Sequence, residues 1–209
     1  MKANIFTRFL RGCMLALALG ASSQAAMADV MLHVTLDTTK FGAGNPGYLD
    51  FQFVTPGFDV APPATVTMTG LNGFDPVGFL ADGSVIAVPG GFQFDNASLN
   101  YLSYAATFGG VFSFDLTFAG DASENVLSNF FVTAWDIDFQ QLGTGPNGEP
   151  LLDLVWTKLG DTPVVVANIG DAEVAAVGDA PAAVPEPGSL ALAGLGLLAL
   201  ALARRQRRA

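Results

Sequence analysis

Apolar and polar residues alternate with a period of two along most of the middle of this chain. Val30, Leu32, Val34 and Leu36 fall on one side, with Met31, His33, Thr35 and Asp37 on the other. Leu49, Phe51 and Phe53 alternate with Asp50 and Gln52, and Val66 and Met68 with Thr65, Thr67 and Thr69. Phe112, Phe114, Leu116 and Phe118 alternate with Ser113, Asp115 and Thr117. Further on, Phe131, Thr133, Trp135, Ile137 and Phe139 form one phase against Ala134, Asp136 and Asp138. Leu152, Leu154 and Trp156 do the same against Asp153, Val155 and Thr157. A two-residue period belongs to strands with one face buried and one wet. Both tryptophans share a phase with Phe, Ile or Leu, which assigns them to the core.

Turn signals separate these runs. They include Gly44-Asn45-Pro46-Gly47, Leu71-Asn72-Gly73, Ala81-Asp82-Gly83-Ser84, Pro89-Gly90-Gly91 and Gly145-Pro146-Asn147-Gly148. Asn-Gly and Asp-Gly tolerate the positive φ angles of tight hairpins. Short strands at this spacing predict an all-β fold, an antiparallel β-sandwich of jelly-roll type. The one expected helical break is a single turn over Ala122–Ser128, capped by Asp121. No internal repeat of about 20–50 residues is present.

The pattern changes at both ends. Lys2, Arg8 and Arg11 precede a short apolar core from Met14 to Ala21, and Ala26-Met27-Ala28 is a small-x-small cleavage site. Residues 1–28 therefore read as a secretory signal peptide cut after Ala28, leaving Asp29 first. Cys13 precedes the apolar core, so it does not read as a lipoprotein cysteine. Residues 29–178 are the extracytoplasmic sandwich domain. Residues 179–188 are an Ala/Pro-rich linker containing Pro185-Glu186-Pro187. An uncharged apolar run from Ser189 to Ala203 follows, then Arg204, Arg205, Arg207 and Arg208 in a basic tail over 204–209. As a helix the run spans roughly 22 Å, short against the roughly 30 Å hydrocarbon core. It reads as a transmembrane helix held only until it is cut. The arginines would keep the tail in the cytoplasm, with the domain outside.

Pro-Glu-Pro, a short apolar helix and a terminal arginine cluster, in that order, resemble the PEP-CTERM sorting domain of Gram-negative bacteria. The resemblance covers about residues 183 to 208. It implies processing by an exosortase, an inner-membrane enzyme that would recognise Pro185, Glu186 and Pro187. It also implies a setting of exopolysaccharide production, with a final place at the cell surface or in the extracellular matrix. It assigns no activity to the body.

Charge and cysteine usage narrow the body further. Between Asp29 and Gly188 only Lys40 and Lys158 are basic, against all 19 acidic residues, a formal charge of −17. Such a surface repels nucleic acid and anionic lipid, and tolerates divalent cations or neutral polysaccharide. The single cysteine leaves with the signal peptide. Disulfides, thiolate catalysis and cysteine-based metal sites are thereby excluded. Most of the 17 phenylalanines lie in the body, so a large apolar core takes the place of disulfides.

Candidate chemistry is sparse. His33 is the one histidine, and mid-strand it reads as an ordinary side chain rather than a triad base. Asp136 and Asp138, two apart on an expected strand, would project from one outer face about 6–7 Å apart. With Asp115 they form a candidate Ca²⁺ set, although Ca²⁺ wants six to eight oxygens and no Asp-x-Asp-x-Asp-Gly loop occurs. The same pair is a weaker candidate for glycosidase carboxylates. Tyr101 and Tyr104 are candidates for stacking on sugar, but an odd spacing places them on opposite strand faces. No Gly-rich phosphate loop, HExxH, GxSxG or basic recognition helix is present. The expectation is a non-enzymatic structural or interaction module without a cofactor, Ca²⁺ being the one metal considered. Its expected partners are exosortase, the membrane before processing, and polysaccharide.

Overall fold

A computed structural model describes residues 29–57, 60–75, 77–145 and 148–180. The signal peptide with Ala26 and Ala28, the Pro-Glu-Pro motif, the apolar run and the terminal arginines lie outside the described residues. Among the described residues, no helix is long and apolar enough to cross a membrane.

Thirteen strands make up the described chain. They are β1 (Val30–Asp37), β2 (Pro46–Val54), β3 (Ala64–Asn72), β4 (Phe79–Gly83), β5 (Ile86–Val88), β6 (Gly91–Asp95) and β7 (Asn100–Thr107), followed by β8 (Val111–Gly120), β9 (Ser128–Asp136), β10 (Gln141–Leu142), β11 (Leu152–Leu159), β12 (Thr162–Ile169) and β13 (Ala175–Asp179). One 3-10 turn, Thr38–Phe41, follows β1. The first sheet has the order β13-β1-β8-β3-β6-β5 and the second β12-β11-β9-β2-β7-β4, with β10 pairing β9 beside β11. Every pairing is antiparallel.

The fold is a two-sheet sandwich, as the alternation predicts. Strands 1-8-3-6 oppose 2-7-4, which is the interleaving of a jelly roll. The third-quarter hairpin departs from it: β5 pairs β6 in the first sheet rather than joining β4. Asp82-Gly83 and Pro89-Gly90 bracket that short strand, and Gly83 has a φ of 68°. Strands β9 to β12 then widen the second sheet, and β13 returns to cover the edge of β1. Strand β13 runs through Asp179, and the Ala180 amide donates to Met31 O at 3.3 Å.

Two local expectations fail. Ala122–Ser128 is not a helical turn. The Asp121 amide donates to Pro63 O at 3.0 Å and its carbonyl accepts Trp156 Nε1 at 3.0 Å. These bonds tie Asp121 to two neighbouring segments, and beyond it the chain bends with Ser123 Oγ accepting the amides of Asn125 and Val126. The phase of β9 is also reversed. Its buried residues are Phe130, Val132 and Ala134, while Phe131, Thr133 and Trp135 lie on the outer face.

The core lies between the sheets and is dominated by phenylalanine. Phe51, Phe53, Phe94, Phe114, Phe118 and Phe130 are fully buried. Their rings meet mostly edge to face across the sheets: Phe51 and Phe114 at 5.5 Å, Phe53 and Phe118 at 6.1 Å, Phe94 and Phe130 at 5.4 Å. Such pairs add about 0.5–1.5 kcal/mol each beyond area burial. Trp156 is core, as expected, and stacks on Phe118 at 5.7 Å. Two of the buried polar residues bridge the sheets. Buried Asn100 accepts the Phe53 amide at 2.7 Å and donates to Asp95 O at 2.7 Å. Asn96 accepts the Ala64 amide at 2.9 Å and donates to Ser128 Oγ at 2.8 Å. Each asparagine thus ties one sheet to the other at the β6–β7 crossover.

Candidate functional site

The outer face of the second sheet carries a shallow hollow. Gln52 opposite Phe131, Asp50 opposite Thr133, and Trp135 build its floor, and Tyr48 opposite Trp135 continues the same face beside it. Directly paired side chains lie on the same face of a sheet, so these six share one surface. On the other side of β9, Gln141 of β10 pairs with Trp135. Gly148 and Pro150 from the loop before β11 form a wall. The enclosed space is about 300 Å³, the lower end of small-molecule sites at roughly 300–1,000 Å³. A second hollow of about 380 Å³ shares Pro150 and reaches Asp153 and Asn168.

The polar groups of this floor are incompletely used. Tyr101 Oη donates to Asp50 Oδ2 at 2.8 Å. Burial pushes the Tyr101 hydroxyl above its ordinary pKa, with Asp50 adding to the shift, so the phenol stays a donor. Asp50 Oδ1 is buried and has no partner among the described residues, and Trp135 Nε1 is likewise buried without one. An acceptor and a donor left unpaired in one patch carry a desolvation cost of about 1–3 kcal/mol each.

A strained hairpin extends the aromatic surface. Asp136 Oδ1 accepts the amides of Asp138 and Gln140 at 2.9 and 2.8 Å, and the Asp136 amide donates to Gln140 O at 2.9 Å. This turn places Phe139 at a φ of 58°, the one positive value at a non-glycine among the described residues. The Phe139 ring then stacks on Tyr48 at 5.3 Å with an interplanar angle of 4°. Tyr48 is the direct neighbour of Trp135. Gly47, beside Tyr48, lets β2 start close against β9: a Cβ there would come within 2.2 Å of Trp135 O.

The residues singled out from sequence are not brought together. Asp136 and Asp138 do not share a strand face, because β9 ends at Asp136 and Asp138 belongs to the turn. Asp136 spends its carboxylate on that turn. Asp115 lies in the first sheet, where it pairs opposite His33 and accepts a hydrogen bond from His33 Nδ1 at 2.7 Å. Among the described residues no group of three or more His, Cys, Asp or Glu converges to hold a metal ion. His33 therefore sits in a cross-strand pair on the outer face of the first sheet. Tyr101 and Tyr104 part as expected: Tyr104 is 2 % exposed among Phe74, Phe79 and Phe92, while Tyr101 faces out. Trp135 is the residue that sequence reasoning misplaced. The usable signal was the apolar run Phe130-Phe131-Val132, which gives β9 large side chains on both faces.

No curated protein and no solved structure matches the chain. Residues 183–208 match the family model described as the PEP-CTERM protein-sorting motif. That motif is an exosortase recognition signal and implies export followed by membrane-anchored sorting. Behind its acidic β-sandwich, the chain thus carries a PEP-CTERM sorting motif.

Proposed function

We propose that this is an exported, non-enzymatic surface or matrix protein whose sandwich is freed by exosortase. In this reading the signal peptide is removed after Ala28 and the run 189–203 holds the protein in the inner membrane. Arg204, Arg205, Arg207 and Arg208 stay inside. Cleavage near Pro185-Glu186-Pro187 then releases the body to the cell surface or the exopolysaccharide matrix. The observation that carries the reading is the sorting motif at residues 183–208. The position of β13 supports it: the last described strand is already paired to β1 by Asp179, so a cut near 185 leaves every described strand in the released body. The glycosidase alternative loses its pair, because the Asp136 carboxylate accepts two amides of the turn that also holds Asp138.

Fractionation of the native producer tests the processing step. Glu186→Ala should move the protein from the surface or medium into the inner membrane, with a larger apparent mass. Normal release of Glu186→Ala would overturn it. The pathway predicts the same retention when exosortase is deleted.

A further inference from the structure

We propose that the hollow on the outer face of the second sheet, built on Asp50, Gln52, Phe131, Thr133, Trp135 and Gln141, binds a neutral polysaccharide chain. This goes beyond the processing reading and does not depend on it.

Four features select that ligand class. First, the floor mixes aromatic rings with amide and carboxylate groups. A sugar ring matches this mixture, with C–H faces that pack as apolar area and hydroxyls at its edge. Second, the floor lacks one acceptor and one donor, Asp50 Oδ1 needing a proton and Trp135 Nε1 needing a lone pair. A hydroxyl supplies both roles, donating through O–H and accepting through oxygen. Third, no basic side chain lines either hollow, and the body carries −17. An anionic chain would therefore be repelled. A metal ion is also poorly served, because the hollow offers one free carboxylate oxygen where Ca²⁺ takes six to eight ligands. Fourth, Phe131 and Trp135 are four residues apart on one strand face, roughly 13 Å at the strand rise. A single sugar ring cannot cover both, and a chain of several can. The second hollow across Pro150 continues the track past Asp153 and Asn168.

Both unpaired atoms are covered by their neighbours as the side chains stand. The proposal requires the Asp50 carboxylate and the Trp135 indole to turn toward the ligand as it enters. Tyr101, bonded to Asp50 Oδ2 at 2.8 Å, then acts as the pivot that leaves Oδ1 to move. The Phe139 turn fits the same account, since backbone strain of this kind is concentrated at binding and catalytic sites. It fixes a second aromatic pair beside Trp135 rather than packing Phe139 into the core.

The test uses the full-length chain and a panel of soluble polysaccharides: the neutral chains dextran, mixed-linkage β-glucan, xylan and galactomannan, with anionic alginate for comparison. Retardation in gels containing each polymer and calorimetry with its oligosaccharides give affinity. Indole fluorescence reports on Trp135, because Trp156 is sealed in the core. We expect at least one neutral polymer to bind and to shift the emission, with alginate inert. Asp50→Asn and Trp135→Ala should each weaken binding about tenfold or more, roughly the loss of one good contact. Trp135→Phe, which keeps an aromatic ring and the fold, should bind more weakly and lose the emission shift. Binding by no neutral polymer, preference for alginate, or full affinity in Asp50→Asn and Trp135→Phe would each overturn the proposal. None of these outcomes bears on the Glu186→Ala result, so the two readings fail separately.

Discussion

Phe139 holds a left-handed backbone angle that costs a β-carbon-bearing residue roughly 1–2 kcal/mol. Its ring stack on Tyr48 returns about 0.5–1.5 kcal/mol, and Asp136 supplies the turn's hydrogen bonds. Two substitutions separate these effects. Phe139→Ala loses the stack and keeps the strain, whereas Phe139→Gly loses both. Glycine should therefore be the more stable variant, by about 1 kcal/mol in urea unfolding, the reverse of the usual order in a strand. Asn100 gives a simpler expectation. Removing it leaves the Phe53 amide and the carbonyls of Phe53, Asp95 and Ser98 without this partner, so Asn100→Ala should cost roughly 2–4 kcal/mol by the same measurement. The two residues were unequally legible. An asparagine in a crossover reads as a turn former, and nothing local shows that it will bridge two sheets. Asp136 and Asp138 were conspicuous for their charge, and that charge drew attention away from the backbone amides one of them caps.

Strand β9 shows where a two-residue period stops being decisive. Phe131, Thr133, Trp135, Ile137 and Phe139 make a longer apolar phase than Phe130, Val132 and Ala134, and the two aspartates mark the other phase as wet. The strand ends at Asp136, so those aspartates and the last two apolar residues belong to the hairpin. Over the residues that are strand, both faces are large and apolar. Local patterning fails most readily where a surface has been shaped for something other than solubility. Strands β1, β2, β3 and β8 pose no such conflict, and their buried apolar residues are the ones alternation selects; in β11 Val155, on the expected wet phase, is buried as well. The edge strands β4 and β12 were missed because both their faces are largely exposed. The segment between β12 and β13 is held differently, by charge. Lys40 Nζ lies 2.8 Å from Asp171 Oδ2 and 2.9 Å from Glu173 Oε2. The Lys40 hydrogen bond holds the Asp171 carboxyl below the usual carboxylate range, against the opposing effect of burial. A lowered folded pKa means that the stabilisation is present above the unfolded value, about 3.9. It is lost as pH falls through the lower folded value. Lys40→Met should thus lower the urea midpoint at pH 7, and the gap from the wild type should close below about pH 4. A gap that persists unchanged at pH 2 would show that the clamp is not the cause.

For the whole molecule, the absence of cysteine after residue 28 leaves stability to the phenylalanine core. Phe130 touches Phe51, Phe94 and Phe118. Phe130→Ala should cost about 3–5 kcal/mol, a large part of the roughly 5–15 kcal/mol that holds a domain folded. The division of labour is then clear. The sandwich closes on itself between Val30 and Asp179, and the sorting motif at residues 183–208 follows it in sequence. That motif is written in local sequence, as Pro-Glu-Pro, an apolar run and terminal arginines, and so it reads without a fold. The hollow over Asp50 and Trp135 is assembled from three strands and a loop, and no linear motif announces it. Intact-mass spectrometry of the protein recovered from the surface or medium tests the central claim most directly. The account predicts a chain beginning at Asp29 and ending near Pro185-Glu186-Pro187, without the apolar run and the arginines. Surface material that still ends in Arg207-Arg208-Ala209 would contradict it.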